Sequence, residues 1–74
     1  MLVLTRLDEA IKEFSEALRG KPDFAEARLS LAMALRQKGN LNEAIMNYKE
    51  YLRLRPQDAS AQASLGEALK AKNQ

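Results

Sequence analysis

The sequence predicts an all-α fold made of antiparallel helix–turn–helix repeats, with four helices in 74 residues. Residues 7–40 align without gaps on residues 41–74, and fifteen of the 34 aligned pairs are identical. Apolar residues recur at helical spacing in each segment, and we see no β-strand signal. A fixed period of this length is typical of stacked repeat proteins, whose units pack mainly on their neighbours and build an extended surface.

The first helix is predicted over residues 6–20. Thr5 and Asp8 have the spacing of a capping box, with Asp in place of the usual Glu. Gly20 and Pro22 are expected to end the helix, since glycine tolerates a left-handed cap and proline cannot continue a helix. Its apolar face, at positions i, i+3, i+4 and i+7, consists of Leu7, Ala10, Ile11, Phe14, Ala17 and Leu18.

The second helix is predicted over residues 24–38. Asp23 and Glu26 again have capping-box spacing, and Gly39-Asn40 is a stop signal. The predicted core face is Ala27, Leu31, Ala34 and Leu35.

The third and fourth helices are predicted over residues 41–54 and 59–72. Asn40 and Asp58 are expected to start them, and Arg55-Pro56 to end the third, because the residue before proline is disfavoured in helical dihedrals. The apolar residues of the third helix are Leu41, Ala44, Ile45, Tyr48 and Leu52, with Tyr51 alongside, and those of the fourth are Ala61, Leu65, Ala68 and Leu69. Because all connections are short, consecutive helices should be antiparallel neighbours.

The composition argues against several function classes. The chain has no cysteine and no histidine, so it lacks the usual general base and the commonest metal ligands, and we expect no enzymatic activity, no metal and no cofactor. Net charge is +2, and many of the charged residues follow the helix dipoles, with acids at N-terminal and bases at C-terminal ends. We therefore expect no nucleic-acid partner. We expect no membrane partner either, because no apolar stretch approaches about 18 residues. The cysteine count is compatible with cytosol or periplasm.

Two spaced patterns, each of which occurs twice, identify a family resemblance. Ala10-x3-Phe14-x2-Ala17 precedes Pro22, Ala44-x3-Tyr48 precedes Pro56, and both Leu31-Ala32-x2-Leu35 and Leu65-Gly66-x2-Leu69 occur. Together they resemble the tetratricopeptide repeat, a 34-residue helix–turn–helix unit. The chain departs from this pattern where the family's tryptophan position holds Arg28 and Gln62, and where Tyr51 replaces the small residue matching Ala17.

The resemblance implies an α-solenoid fragment that forms part of a right-handed superhelix. The phase predicts one domain, 1–74, with a half repeat at 7–22, a full repeat at 25–56 and a half repeat at 59–72, while residues 1–5 align with the end of a missing first helix. The simplest interpretation is a fragment of a longer repeat protein. The alternative is a short protein that completes itself by association.

The resemblance also implies a concave groove, lined by the first helices of successive units, that binds a peptide or a partner helix. Its expected residues are Glu26, Leu29, Ser30, Met33, Arg36 and Gln37, followed by Ser60, Ala63, Ser64, Glu67 and Lys70. Any one of them could equally belong to a solvated face. Leu29 and Met33 are the strongest candidates, since both are apolar on the predicted groove side and methionine adapts to varied partners. The Lys/Asn/Arg cluster with which some members grip a C-terminal carboxylate is missing from these positions.

Two hypotheses follow. In the first, the chain is a protein–protein interaction scaffold whose groove binds a peptide or partner helix of unknown identity. In the second, the chain is a self-association module, a homo-oligomer formed through residues 7–18 and 59–72, where unpaired half repeats complete each other.

Overall fold

Four helices in chain order form the fold: α1 (Leu2–Gly20), α2 (Ala25–Lys38), α3 (Leu41–Leu54) and α4 (Ala59–Lys72). The structure is a computed structural model that describes the backbone of residues 2–74 and the side chains of residues 6–74. Between residues 2 and 74 it contains no strand, so the all-α prediction is confirmed. The extensive contacts join α1 to α2, α2 to α3 and α3 to α4.

The first helix begins earlier than predicted. It starts at Leu2, so Thr5 lies inside the helix and its predicted capping box with Asp8 is wrong. Residues 2–5, which were expected to match the end of a separate helix, continue into α1. The reason is visible one repeat later, where Gly39 ends α2 with a φ of 99° and donates its N–H to the carbonyls of Arg36 and Leu35. Thr5 occupies the position of Gly39 and lacks the glycine freedom that this left-handed cap uses.

The starts of the other helices follow the prediction only in part. Asp58 caps α4 as predicted, because its Oδ1 accepts a 3.1 Å hydrogen bond from the backbone N–H of Ala61. Asp23 does not cap α2: the cap residue is Phe24, whose side chain offers no acceptor to the described backbone. Asn40 stands at the start of α3, but its side chain makes no capping bond within the described residues.

The core joins all four helices through alanine, leucine and tyrosine side chains. Tyr48 of α3 is only 1% exposed, and Leu18, Leu31 and Leu35 surround it in the larger cluster, together with half-buried residues of α1 and α4. Complete burial of a leucine side chain stabilises the fold by about 1.5–3 kcal/mol. The larger cluster consists of Leu18, Ala27, Leu31, Ala32, Leu35, Ala44 and Tyr48, and the smaller consists of Ala25, Tyr51 and Ala61.

The predicted apolar faces are buried to different degrees. All four core residues predicted for α2 are buried, whereas Ala17 of α1 is exposed and Leu69 of α4 is 37% exposed. The remaining apolar residues of the α1 face between residues 7 and 14 are half-buried. This difference reflects position in the stack, because α2 packs between two helices while α1 and α4 each pack extensively on one.

Candidate functional site

A shallow concavity of about 390 Å³ lies between α2 and α4, with α3 beneath it. Met33, Arg36 and Gln37 line it from α2, Ser64 from α4 and Tyr48 from α3. Residues 33, 36 and 37 share one face of α2 because they are three and four positions apart on a helix. Four of the eleven residues predicted for the groove therefore meet around one concavity. We call these five lining residues the groove pocket.

An ion pair joins the two helices beside this pocket. Nη2 of Arg36 lies 3.1 Å from Oε1 of Glu67, so a fifth predicted groove residue contacts the lining. Both side chains are exposed, at 42% and 67%, and an exposed pair of this kind contributes at most about 1 kcal/mol to stability. Its main consequence is local, since it neutralises the one charged side chain of the lining.

The other predicted groove residues are not part of the pocket lining. Leu29 is half-buried and packs against both core clusters, so it supports the fold. Ser30 is half-buried, and four more are exposed, namely Glu26, Ser60, Ala63 and Lys70. Of the two strongest sequence candidates, only Met33, which is 47% exposed, presents its side chain freely.

Tyr48 is the pocket residue that the sequence analysis missed. The sequence predicts it only as part of the apolar face of the third helix, and its burial fits that role. Its hydroxyl nevertheless finds no hydrogen-bond partner among the side chains and backbone groups that the structure describes. The signal lay in the repeat alignment, because the equivalent residue is Phe14 and the hydroxyl is the only chemical difference between the two side chains.

A polar network lies where the resemblance places a tryptophan. Arg28 donates one hydrogen bond of 3.1 Å to Oδ1 of Asn47 and another of 2.9 Å to the carbonyl of Pro22. Gln62, the equivalent of Arg28 in the next repeat, donates a 2.8 Å hydrogen bond to the carbonyl of Pro56. Both residues thus reach back six positions to the turn that precedes their helix. We infer a structural role for this position rather than a binding one.

The remaining surface offers little other chemistry. Among the residues that the structure describes, no group of acidic side chains is arranged to hold a metal ion. None of the described helices combines the length and the apolar character that a membrane crossing requires.

Comparison with known proteins agrees with this architecture. A family comparison matches residues 2–59 to the tetratricopeptide repeat, a span that runs from the start of α1 to the first residue of α4. A search of curated proteins found no match to the chain. The match covers more than half of the 74 residues, and the helices repeat at the family's 34-residue period. The chain belongs to the tetratricopeptide repeat family.

Proposed function

We propose that the chain is a protein-interaction scaffold that binds a peptide or partner helix in the groove between α2 and α4. Tetratricopeptide repeats generally mediate protein–protein interaction. The observation that carries the proposal is the groove pocket, where side chains from α2, α3 and α4 meet around one concavity beside the exposed Met33. A concavity with an adaptable apolar wall and a few polar groups is the usual form of a recognition site.

The extended site consists of the pocket and the rest of the predicted groove. Arg36 and Glu67 connect its two helices, while Ser30 and Ser64 are half-buried along it. We further propose the repeat phasing stated above, with the full repeat at 25–56 between half repeats, because this phasing puts α2 and α4 in equivalent positions. Equivalent helices of successive units are expected to face the same side of the stack.

The experiment is a peptide-display selection against the immobilised chain, followed by calorimetry with the selected peptides. Met33→Glu should weaken binding by about tenfold or more, since it puts a charge on the apolar wall of the pocket. Met46→Glu is the matched control, because Met46 is 68% exposed on α3 and lies outside the pocket lining. Equal affinities for the two variants would contradict the groove assignment. Leu29→Glu is less suitable, because Leu29 also packs in the core.

Self-association is the second candidate, and the repeat relation favours it. Ala32 and Ala44 are completely buried in the core that α2 and α3 share, whereas their equivalents Gly66 and Ala10 are exposed and half-buried. In this proposal, α4 of one copy pairs with α1 of a second copy, as α2 pairs with α3. Such a head-to-tail contact forms rings or filaments.

Light scattering over a wide concentration range tests this candidate. The mass should rise with concentration for the natural sequence and stay at one chain for Gly66→Leu. Gly66→Ala is the matched control, because a Cβ at this position meets no atom within 4 Å in the chain and matches Ala32 in size. A constant single-chain mass for the natural sequence would reject the second candidate and leave the first in place.

A further inference from the structure

Tyr48, which lines the groove pocket from α3, carries a hydroxyl whose hydrogen bonding is incomplete. Tyr48 is the largest completely buried side chain of the described residues, and its hydroxyl has no partner among them. A buried hydroxyl without a partner costs about 1–3 kcal/mol, and such groups are uncommon in native proteins. Because Tyr48 is also one of the residues that line the groove pocket, its unpaired hydroxyl points to a ligand that completes the hydrogen bonding.

The repeat alignment shows that packing alone does not require this hydroxyl. Phe14 stands at the equivalent position of α1 and packs against the same core cluster. The ring therefore accounts for the packing role in both copies. Of the two equivalent residues, only Tyr48 has a hydroxyl, and Tyr48 is the one that lines the groove pocket.

The other lining groups restrict the chemistry of the ligand. The guanidinium of Arg36 is already paired with Glu67 at 3.1 Å, and the remaining polar groups, those of Gln37, Ser64 and Tyr48, are neutral. A charged ligand group would meet no net opposite charge in the pocket, because the carboxylate of Glu67 already neutralises Arg36. An apolar ligand group would leave the hydroxyl of Tyr48 unpaired.

A carboxamide satisfies both restrictions. Its carbonyl oxygen can accept from a tyrosine hydroxyl, and its NH₂ group can donate to the oxygen of a serine or glutamine side chain. We propose that the groove pocket binds the carboxamide of an asparagine or glutamine side chain that a partner peptide presents. This inference rests on the proposed groove function and names the ligand group of that site.

The test uses capped single residues as probes. The N-acetyl methylamides of glutamine, glutamate and leucine are titrated onto the ¹⁵N-labelled chain, and backbone amide shifts are followed by NMR. The glutamine probe should shift the amides of Met33, Gln37 and Ser64 and bind about fivefold more tightly than the other two, the gain expected from one hydrogen bond. In Tyr48→Phe this preference should disappear, while the Tm should equal or exceed that of the natural sequence.

Three results would overturn the proposal: equal binding of the glutamine and leucine probes, an unchanged preference in Tyr48→Phe, or a lower Tm for that variant. The last would mean that the hydroxyl is already satisfied within the fold. These experiments also distinguish a failure of the proposed groove function from a failure of the carboxamide proposal. Peptides that lose affinity in Met33→Glu but not in Tyr48→Phe support the groove and reject the carboxamide. If no display-selected peptide binds the groove while the capped glutamine probe keeps a preference that depends on Tyr48, the pocket is supported and the wider groove is rejected.

Discussion

The hydroxyl of Tyr51 donates a 2.5 Å hydrogen bond to Oδ2 of Asp58, while Oδ1 of the same carboxylate accepts from the N–H of Ala61. One aspartate therefore ties the last turn of α3 to the first turn of α4. At the equivalent positions 34 residues earlier stand Ala17 and Phe24, which cannot form this bond. Both members of the polar pair are replaced together, so the two junctions between units have different chemistry.

This junction should make stability depend on pH at both extremes. The hydrogen bond from Tyr51 is the main cause that lowers the pKa of Asp58, and the bond to Asp58 is the main cause that raises the pKa of Tyr51. The contribution of Asp58 is complete above the ordinary pKa of about 4 and is lost as the pH falls through the lowered value. That of Tyr51 is complete below about 10 and is lost as the pH rises through the raised value. Thermal melts between these extremes should show a broad plateau.

Variants test both flanks of that profile, because one hydrogen bond is the main cause of both pKa shifts. Tyr51→Phe should remove the alkaline fall in Tm that the phenol causes and reduce the acid fall, whereas Asp58→Asn should remove the acid fall that the carboxylate causes and reduce the alkaline one. The control for the acid side is Glu50→Gln, because the hydrogen bond from Arg53 also lowers the pKa of Glu50. If the Tm of Tyr51→Phe falls at alkaline pH as much as that of the natural sequence, the role assigned to the phenol is contradicted.

A side-chain cap can be introduced at the start of α2 by substituting Phe24. Phe24 has φ −74° and ψ 92°, close to the −78° and 98° of Asp58, so Phe24→Asp should cap α2 as Asp58 caps α4. The reference is Phe24→Ala, since both changes remove the contact between the Phe24 ring and Lys21. We expect the Asp variant to be more stable than the Ala variant by about 1 kcal/mol in urea denaturation. Equal urea midpoints for the Asp and Ala variants would mean that the backbone conformation at residue 24 is not sufficient for a side-chain cap.

Two glycines should respond oppositely to the same substitution. Gly66 lies within α4, where an added Cβ meets no atom within 4 Å, so Gly66→Ala should stabilise the chain by about 0.4–1 kcal/mol. Gly39 has equally open surroundings but a φ of 99°, so Gly39→Ala should destabilise it by about 1–2 kcal/mol. Chemical denaturation of both variants measures the difference. Effects of the same sign would contradict the left-handed conformation of Gly39.

The polar network at the family's tryptophan position can be tested by substituting Arg28. Arg28→Gln should keep the bond to the carbonyl of Pro22, as Gln62 does with Pro56. Arg28→Ala loses that bond as well as the one to Asn47, and should be less stable than the Gln variant by about 1 kcal/mol. Equal stability of the two variants would show that the bond to the turn contributes nothing.

The repeat made most of the fold predictable, because two copies of one pattern support each other. The bounds of α3 and α4 agree with the prediction, since Asp58 and Pro56 are strong local signals. Capping-box spacing alone indicates Asp23, which does not cap α2. The 34-residue offset instead pairs Asp58 with Phe24 and so indicates residue 24 as the cap position.

The site was less predictable, because its chemistry depends on distances that spacing cannot supply. A helix-face pattern put Leu29 and Met33 on the groove side, but only the packed structure shows that Leu29 also contributes to both core clusters. The pairing of Arg36 with Glu67 joins residues 31 positions apart. Neither sequence signal nor helix period indicates that these two side chains meet.

The stacking order has a consequence for how the groove opens. α3 packs extensively on two helices and α4 on one, and in repeat proteins stability is approximately a sum of unit and neighbour terms. Releasing α4 breaks one interface, whereas releasing α3 breaks two. Backbone amides of α4 should therefore exchange with solvent deuterium faster than those of α2 and α3. The helix that carries Ser64 and Glu67 is then the wall that detaches first, so a bound ligand can leave by partial unfolding of one wall while the other wall stays folded.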